Sequence, residues 1–280
     1  MTSDIRYVTT SRGRGLVYIS HIRPRFFIGK SGKCLVLKGF SGSRKGGGIR
    51  GNISGFSKGS RRRLFMTVSA IPWDKLGSTF LVTLTYPGDP EYVPRDGVQA
   101  KEQLKAFRKR WERRWGPIRA VWKLEFQRRG AVHWMLAIVD PGVEIGKLRR
   151  WVSRTWYEIV GSGDRKHLKA GTSVEVWKGD LALYFSKYGS YKEQKEYQHQ
   201  VPEWYESVGR FWGLWRLKPE WKWEEVSCTD FVAMRRVCVR YKRSKGTRIK
   251  TPALLRGMFI VGGKKSEEMA NQLIRAIRDS

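Results

Sequence analysis

The chain has 280 residues and carries 56 lysines and arginines against 25 aspartates and glutamates, which gives a formal net charge of +31. Its hydrophobic content of 40% and aromatic content of 13% exclude a disordered chain and are sufficient for a core. The sequence has no long apolar run, no basic amphipathic anchor and no signal-peptide pattern, which argues against a membrane partner. The charge therefore favours nucleic acid, and the length predicts one large domain or one domain with an accessory part.

The cysteines give no sign of a covalent or metal framework. There are three, Cys34, Cys228 and Cys238, and their spacing is not that of metal ligands. An odd count at scattered positions argues against disulfides. We therefore expect a protein of the reducing cytoplasm, with Cys34 and Cys238 as small core residues.

The first 56 residues are basic and rich in glycine and serine. The stretch 41–55, "SGSRKGGGIRGNISG", is interpreted as a loop, either simply solvated or used as an arm that follows phosphates. No Gly-Lys-Ser/Thr follows at the spacing of a nucleotide-binding P-loop, so no helicase motor is predicted.

From residue 56 onward, apolar periodicity predicts a mixture of helices and strands. The predicted helices are 56–71, 100–116, 148–159, 180–197 and 266–278. The predicted strands are 79–86, 118–127, 131–139, 171–179 and 231–243. Hairpin pairing among mixed elements indicates the α+β class, with a central antiparallel sheet flanked by helices.

The predicted hairpin places an acid opposite a histidine. If the turn is 128–130, residue 127 pairs with residue 131 and Glu125 pairs with His133. Both lie on the less apolar face, since side chains alternate along a strand, and their Cβ atoms would be about 5 Å apart. This pair is either half of a divalent metal site or a structural hydrogen bond.

The stretch "YFSKYGSYK", residues 184–192, places Tyr184 and Tyr188 four residues apart with Lys187 between them. On a helix this spacing puts both phenols on one face. They are either core residues or a pair of nucleophiles.

Three stretches, in this order, resemble motifs of the rolling-circle replication initiators of the HUH endonuclease superfamily. "FLVTLTYP" resembles their first motif strand, "KLEFQRRGAVHWM" their Glu strand and His-hydrophobic-His strand, and "YFSKYGSYK" their Tyr-x-x-Lys-Tyr helix. The nearest group is the phage and plasmid replication-associated one that includes filamentous-phage gene II proteins. The resemblance covers residues 55–215, and the stretches "FSKGSRRRL" and "VGRFWG" also match sequences that flank the motifs in this group. It implies an HUH nuclease fold of RRM-like α+β type.

The resemblance implies that the protein nicks and rejoins single-stranded origin DNA through a 5′-phosphotyrosine. Tyr184 would make the first cut and Tyr188 the second, with Lys187 stabilising charge. Glu125 and His133 would hold Mg²⁺ or Mn²⁺.

One departure concerns this metal site, because Met135 stands where the second histidine is expected. A thioether is a poor ligand for these ions. Either another group completes the site, with His21, His167 and His199 as the remaining histidines, or metal binding is weak or lost.

Single-stranded DNA binding uses cations that follow the backbone, and the candidates are Arg61, Arg62, Arg63, Arg128, Arg129 and Arg210. The implied domains are a basic segment 1–56, a nicking domain 57–215 and a basic extension 216–280, which we expect to help bind duplex DNA. A host helicase and polymerase would be partners. The alternatives are a non-catalytic nucleic-acid-binding protein of the same fold, or a relaxase or transposase-like nuclease.

Overall fold

The computed structural model describes residues 6–10, 13–17, 25–29, 34–39, 53–186, 196–244, 246, 258–262 and 265–278. They fall into two compact units. The central unit comprises the described residues from 53 to 186 and from 196 to 220. The terminal unit combines strands near the start of the chain with residues from Trp221 onward.

The strands in these ranges are β1 Arg6–Thr10, β2 Gly13–Val17, β3 Arg25–Gly29, β4 Cys34–Lys38, β5 Thr79–Thr85, β6 Ala120–Phe126, β7 Val132–Val139, β8 Thr172–Val176, β9 Trp212–Trp215, β10 Trp221–Glu225 and β11 Met258–Gly262. The α-helices are α1 Lys58–Ser69, α2 Gly97–Trp115, α3 Ile145–Val160, α4 Arg165–Ala170, α5 Leu181–Ser186, α6 Cys228–Ser244 and α7 Lys265–Arg278.

The central unit is built on a five-stranded antiparallel sheet with the order β8-β5-β7-β6-β9. One face is apolar and includes Trp134 and Leu136, both fully buried. Helices α2 and α3 pack together through Phe107, Trp111 and Trp156. The predicted α+β class with a helix-flanked antiparallel sheet is confirmed.

Capping side chains fix where the main helices begin. The Asp96 carboxylate accepts from the backbone N–H groups of Val98 and Gln99, both at 2.8 Å, at the start of α2. The Glu144 carboxylate does the same for α3, and the two backbone N–H bonds that it accepts hold its pKa below the usual range. Side chains that satisfy the first N–H groups stabilise a helix end, so both helices begin three residues earlier than their apolar stripes predict.

The terminal unit has a four-stranded sheet of order β10-β3-β4-β11 and a separate β1-β2 hairpin. Its core joins alternate residues of β4 to one face of α6 and one face of α7. The members are Leu35, Leu37, Phe231, Met234, Cys238, Met269, Ala270 and Leu273. The predicted last helix is confirmed as α7.

The predicted strand 231–243 is wrong, because this segment lies within helix α6. Its valines favour a strand locally, but Phe231, Met234 and Cys238 recur at helical spacing and face the core. Ser227 also begins the helix, since its hydroxyl oxygen accepts from the backbone N–H of Asp230 at 3.0 Å. Tertiary burial and a capping residue therefore outweigh the β-propensity.

The predicted helix 180–197 is seen in part. It begins as α5, and Glu196–His199 forms a short 3-10 helix. Lys187 and Tyr188 lie outside the described residues, as does most of the stretch 41–55 that is interpreted as a loop. Within the described ranges, no helix combines the length and apolar character that crossing a bilayer requires.

Candidate functional site

Two rows of side chains cross the polar face of the central sheet. Residues directly opposite each other in an antiparallel ladder point to the same face. The register therefore aligns Thr85, His133 and Glu125 in one row. The second row, on all five strands, is Ser173, Thr83, Met135, Lys123 and Trp212. The predicted pairing of Glu125 with His133 is confirmed.

A buried ion pair joins the two rows. The Lys123 ammonium lies 2.6 Å from Glu125 Oε1, and the two side chains are 0% and 2% exposed. The Phe56 ring covers the ammonium at 5.4 Å from its centroid. Burying a charge is costly unless an opposite charge and hydrogen bonds compensate it, so each partner depends on the other. Sequence reasoning placed both residues on one face but did not pair them.

His133 lies in the same row as Glu125 and is only partly buried. Its other neighbour, Thr85, is held by hydrogen bonds of both its side chain and its backbone. The Thr85 hydroxyl donates to the Gly171 carbonyl at 2.8 Å, and the Thr85 carbonyl accepts from Trp156 Nε1 at 2.7 Å and from His167 Nε2 at 2.9 Å. The end of β5 beside His133 is therefore fixed.

His167 is a structural residue. Its ring is buried, with Nε2 bonded to the Thr85 carbonyl and Nδ1 2.9 Å from the Ser162 hydroxyl. A carbonyl only accepts, so Nε2 carries the proton and Nδ1 accepts from Ser162. Both nitrogens are occupied, which removes His167 as a metal ligand.

His199 packs against the residue that covers Lys123. Its carbonyl accepts from the Phe56 N–H at 2.7 Å, and its ring meets the Phe56 ring edge-on at 5.6 Å. His199 Nδ1 lies 3.4 Å from Arg61 Nη1. The remaining histidine, His21, lies outside the described residues.

The described donors fit Mg²⁺ or Mn²⁺ poorly. Across the described part of the chain, no three side chains of His, Cys, Asp or Glu come together as a metal site. Glu125 already faces an ammonium, and Met135 offers a soft thioether where these ions favour oxygen. The ion expected from the resemblance stays a prediction.

Tyr184 is the one member of the predicted nucleophile group that the structure describes. It lies on α5, its side chain is 36% exposed, and its ring lies 4.5 Å from that of Trp177. Helix α5 packs against α1, and Ser60 of α1 accepts a hydrogen bond from Trp212 Nε1 at 3.1 Å. Since Trp212 stands opposite Lys123, α1 links the polar face to the helix of Tyr184.

The predicted DNA-binding arginines differ in what they contact. Arg62 and Arg210 are exposed, and Arg61 lies beside His199. Arg128 is also exposed, with its guanidinium 5.7 Å from the Tyr197 ring centroid.

Arg129 is tied into the fold. Its guanidinium donates to the carbonyls of Tyr86 and Pro87 and, at 2.9 Å, to Gln127 Oε1. Partial burial lowers its pKa. Arg129 thus links the hairpin turn to the end of β5.

Residues 79–193 match the family model of the replication-associated proteins of the ORF2 and gene II protein type. This range contains strands β5 to β8, with the polar-face residues that they carry, and Tyr184. The part of the chain that is similar to this family is therefore the antiparallel sheet with the Glu–His pair on its polar face.

The relatives agree with this class. The chain is 27% identical over 207 residues to the replication-associated gene II protein of Pseudomonas phage Pf3, and the alignment covers 72% of this chain and 73% of the phage protein. It is 29% identical over 182 and 186 residues to two proteins of Xylella fastidiosa, strains Temecula1 and 9a5c, whose names give them a provisional replication role. These alignments span 61% and 57% of the Xylella proteins.

Proposed function

We propose that the protein initiates rolling-circle replication of a phage or plasmid by cutting and rejoining single-stranded origin DNA through a tyrosine. The observation that supports this most is that one replication-associated domain contains an exposed phenol, Tyr184, and a polar sheet face with a histidine and a carboxylate. The net charge of +31 suits a DNA partner.

The cut is a transfer between two oxygens. The Tyr184 phenol loses its proton to a base, and the phenolate oxygen attacks a backbone phosphorus. The bond from phosphorus to the preceding 3′ oxygen breaks, that oxygen takes up a proton, and the 5′ side remains bonded to tyrosine. Rejoining reverses these steps. A phenol has an ordinary pKa of about 10, so the site has to supply positive charge or a base.

Exposed arginines are suited to hold the strand. Arg62, Arg63, Arg128 and Arg210 are exposed in the central unit, and the Arg128–Tyr197 stack resembles the cation and ring combinations of single-strand binding. Tyr188 and Lys187 keep their proposed roles as second nucleophile and charge stabiliser. In the cytoplasm, a host helicase would unwind the duplex and a host polymerase would extend the free 3′ end.

The test is a covalent adduct. The full chain is incubated with single-stranded DNA from its own replicon, and denaturing gels report protein bound to DNA. Tyr184→Phe is expected to abolish the adduct, while Tyr92→Phe, the same change at a half-buried tyrosine of the central unit, should keep it. An adduct lost only in Tyr188→Phe would reverse the order of the two nucleophiles.

The second candidate is a non-catalytic DNA-binding protein of the same fold. Met135 and the Lys123–Glu125 pair favour it, because neither is suited to binding a divalent ion. In that case no adduct forms under any condition, although DNA binding remains tight and weakens steeply with salt.

We further propose that the terminal unit binds duplex DNA near the origin. Arg236, Arg240 and Arg243 are exposed on α6 at positions i, i+4 and i+7, so they share one face. The opposite face of α6 is in the core.

Changing all three arginines to alanine should reduce the slope of log affinity against log salt by about 2.7, at roughly 0.9 per lost phosphate contact. A matched triple change of Lys105, Lys109 and Arg113, exposed on α2, removes the same charge elsewhere. Equal effects of the two triples would contradict a specific role for α6.

A further inference from the structure

Lys123 occupies the centre of the polar face, between Met135 on β7 and Trp212 on the edge strand. The ammonium contacts Glu125 Oε1 at 2.6 Å, and the Phe56 ring covers it. Glu125 is opposite His133, so one carboxylate faces an imidazole on one side and an ammonium on the other. Both charges are shielded from water.

We propose that Lys123 is a positioning residue that supplies the positive charge of this site in place of a divalent metal ion. This rests on the proposed function, because it concerns the same polar face. Lys123 keeps Glu125 occupied and its charge compensated, so that Glu125 and His133 have low affinity for Mg²⁺ and Mn²⁺. The site is thus charge-balanced before DNA arrives.

The distances at Glu125 disfavour a bound divalent ion. A divalent ion bound to Glu125 Oε1 at about 2.1 Å would lie no further than about 4.7 Å from Lys123 Nζ, the sum of that distance and the 2.6 Å contact. Repulsion between a dication and a buried ammonium at this range opposes binding. Because the ammonium is enclosed by Phe56 and the sheet, it could reach solvent only if Phe56 moved.

Met135 is the second residue, beside Lys123, that disfavours a metal ion at this site. It stands directly opposite Lys123 and two residues from His133 on the same face, where a histidine could add a third donor beside His133 and Glu125. A thioether does not attract a hard cation and packs well beside the aliphatic stem of a lysine. Lys123 therefore supplies the positive charge that a metal ion would otherwise supply, and Met135 stands where a histidine ligand would be needed.

This predicts that two substitutions convert the polar face into a Mn²⁺-binding site. Lys123→Met removes the competing charge and keeps an unbranched side chain, and Met135→His adds the third donor. The double variant is expected to bind Mn²⁺ at least tenfold more tightly than the wild type, measured without DNA by loss of the free Mn²⁺ electron-paramagnetic-resonance signal. Adding Glu125→Gln to the double variant should abolish the gain.

A measurement on the wild type needs no variant to fold. The chain has 6 methionines, and labelling their methyl groups with ¹³C gives a reporter at Met135, assigned with Met135→Leu. In the wild type, Mn²⁺ up to 1 mM should leave this signal as sharp as the other methionine signals. Selective broadening of Met135 at lower Mn²⁺ would overturn the proposal, as would a folded double variant without any gain in affinity.

Adduct formation separates this proposal from the proposed function. An adduct that forms equally well with Mg²⁺ or with EDTA supports a built-in charge, and one that requires the metal in the wild type overturns it. If no adduct forms under any condition, the proposed cutting activity fails, and Mn²⁺ binding alone still decides the role of Lys123.

Discussion

Replacing Lys123 with methionine removes the ammonium that faces Glu125 across 2.6 Å inside the sheet. At an effective dielectric constant of about 20, two unit charges at this distance attract each other by about 6 kcal/mol. Most of this offsets the cost of taking both ions out of water. Removing one partner leaves the other buried and uncompensated, which typically costs about 3 to 5 kcal/mol of unfolding free energy.

The matched changes form a double-mutant cycle. Lys123→Met and Glu125→Gln are each expected to destabilise by about 3 to 5 kcal/mol. The double variant, which has no charge left, should lie within about 2 kcal/mol of the wild type, so the coupling energy should exceed about 3 kcal/mol.

Urea unfolding followed by tryptophan fluorescence suits this test. Of 13 tryptophans, all except Trp221 and Trp223 lie in the central unit, so the signal reports on the unit that holds the pair. Additive effects, or a single Lys123→Met cost below about 1 kcal/mol, would refute the reasoning that the two charges compensate each other.

Three further changes test other parts of the structure. His167→Ala breaks both ring hydrogen bonds and should lower the free energy of unfolding by about 1 to 3 kcal/mol, measured by urea unfolding; an unchanged midpoint would contradict the structural role. Arg129→Ala should lower the melting temperature because three acceptors lose their donor, whereas Arg128→Ala should weaken single-stranded DNA binding and leave melting unchanged; equal behaviour would refute the distinction. Burial raises the pKa of the Cys238 thiol to about 12, so at pH 8 only about one thiol in ten thousand is a thiolate. Mass spectrometry after iodoacetamide treatment should find this cysteine unlabelled until urea is added, and rapid native labelling would contradict its burial.

The sequence was sufficient where local pattern and tertiary environment agree. In the hairpin of β6 and β7, strict alternation and a short turn left one register that keeps the apolar side chains together, so Glu125 opposite His133 followed directly. Helix α6 differs from the predicted strand because its valines favour a strand locally, whereas the cap at Ser227 and the burial of one face fix a helix.

The site was harder to predict than the fold. The i, i+2 spacing of Lys123 and Glu125 puts them on one face, and two opposite charges there could have been expected to pair. The place of Trp212 beside Lys123 depends on β9 joining the far edge of the sheet, which no local pattern specifies. The arginines show the same limit. Arg128 and Arg129 are both exposed and look alike in the sequence, and only the three acceptors of the Arg129 guanidinium distinguish them.

The terminal unit has a consequence for how the chain is made. Strand β4 needs β11 as its neighbour, and 220 residues separate Lys38 from Met258, the difference of their numbers. At about 5 to 20 residues per second on a ribosome, β4 waits roughly 10 to 45 s for this partner. The central unit, which ends at Glu220, is synthesised in the meantime, so its sheet can fold while β4 still lacks β11. The sheet that contains β3 and β4 is therefore completed only after the central unit has been made.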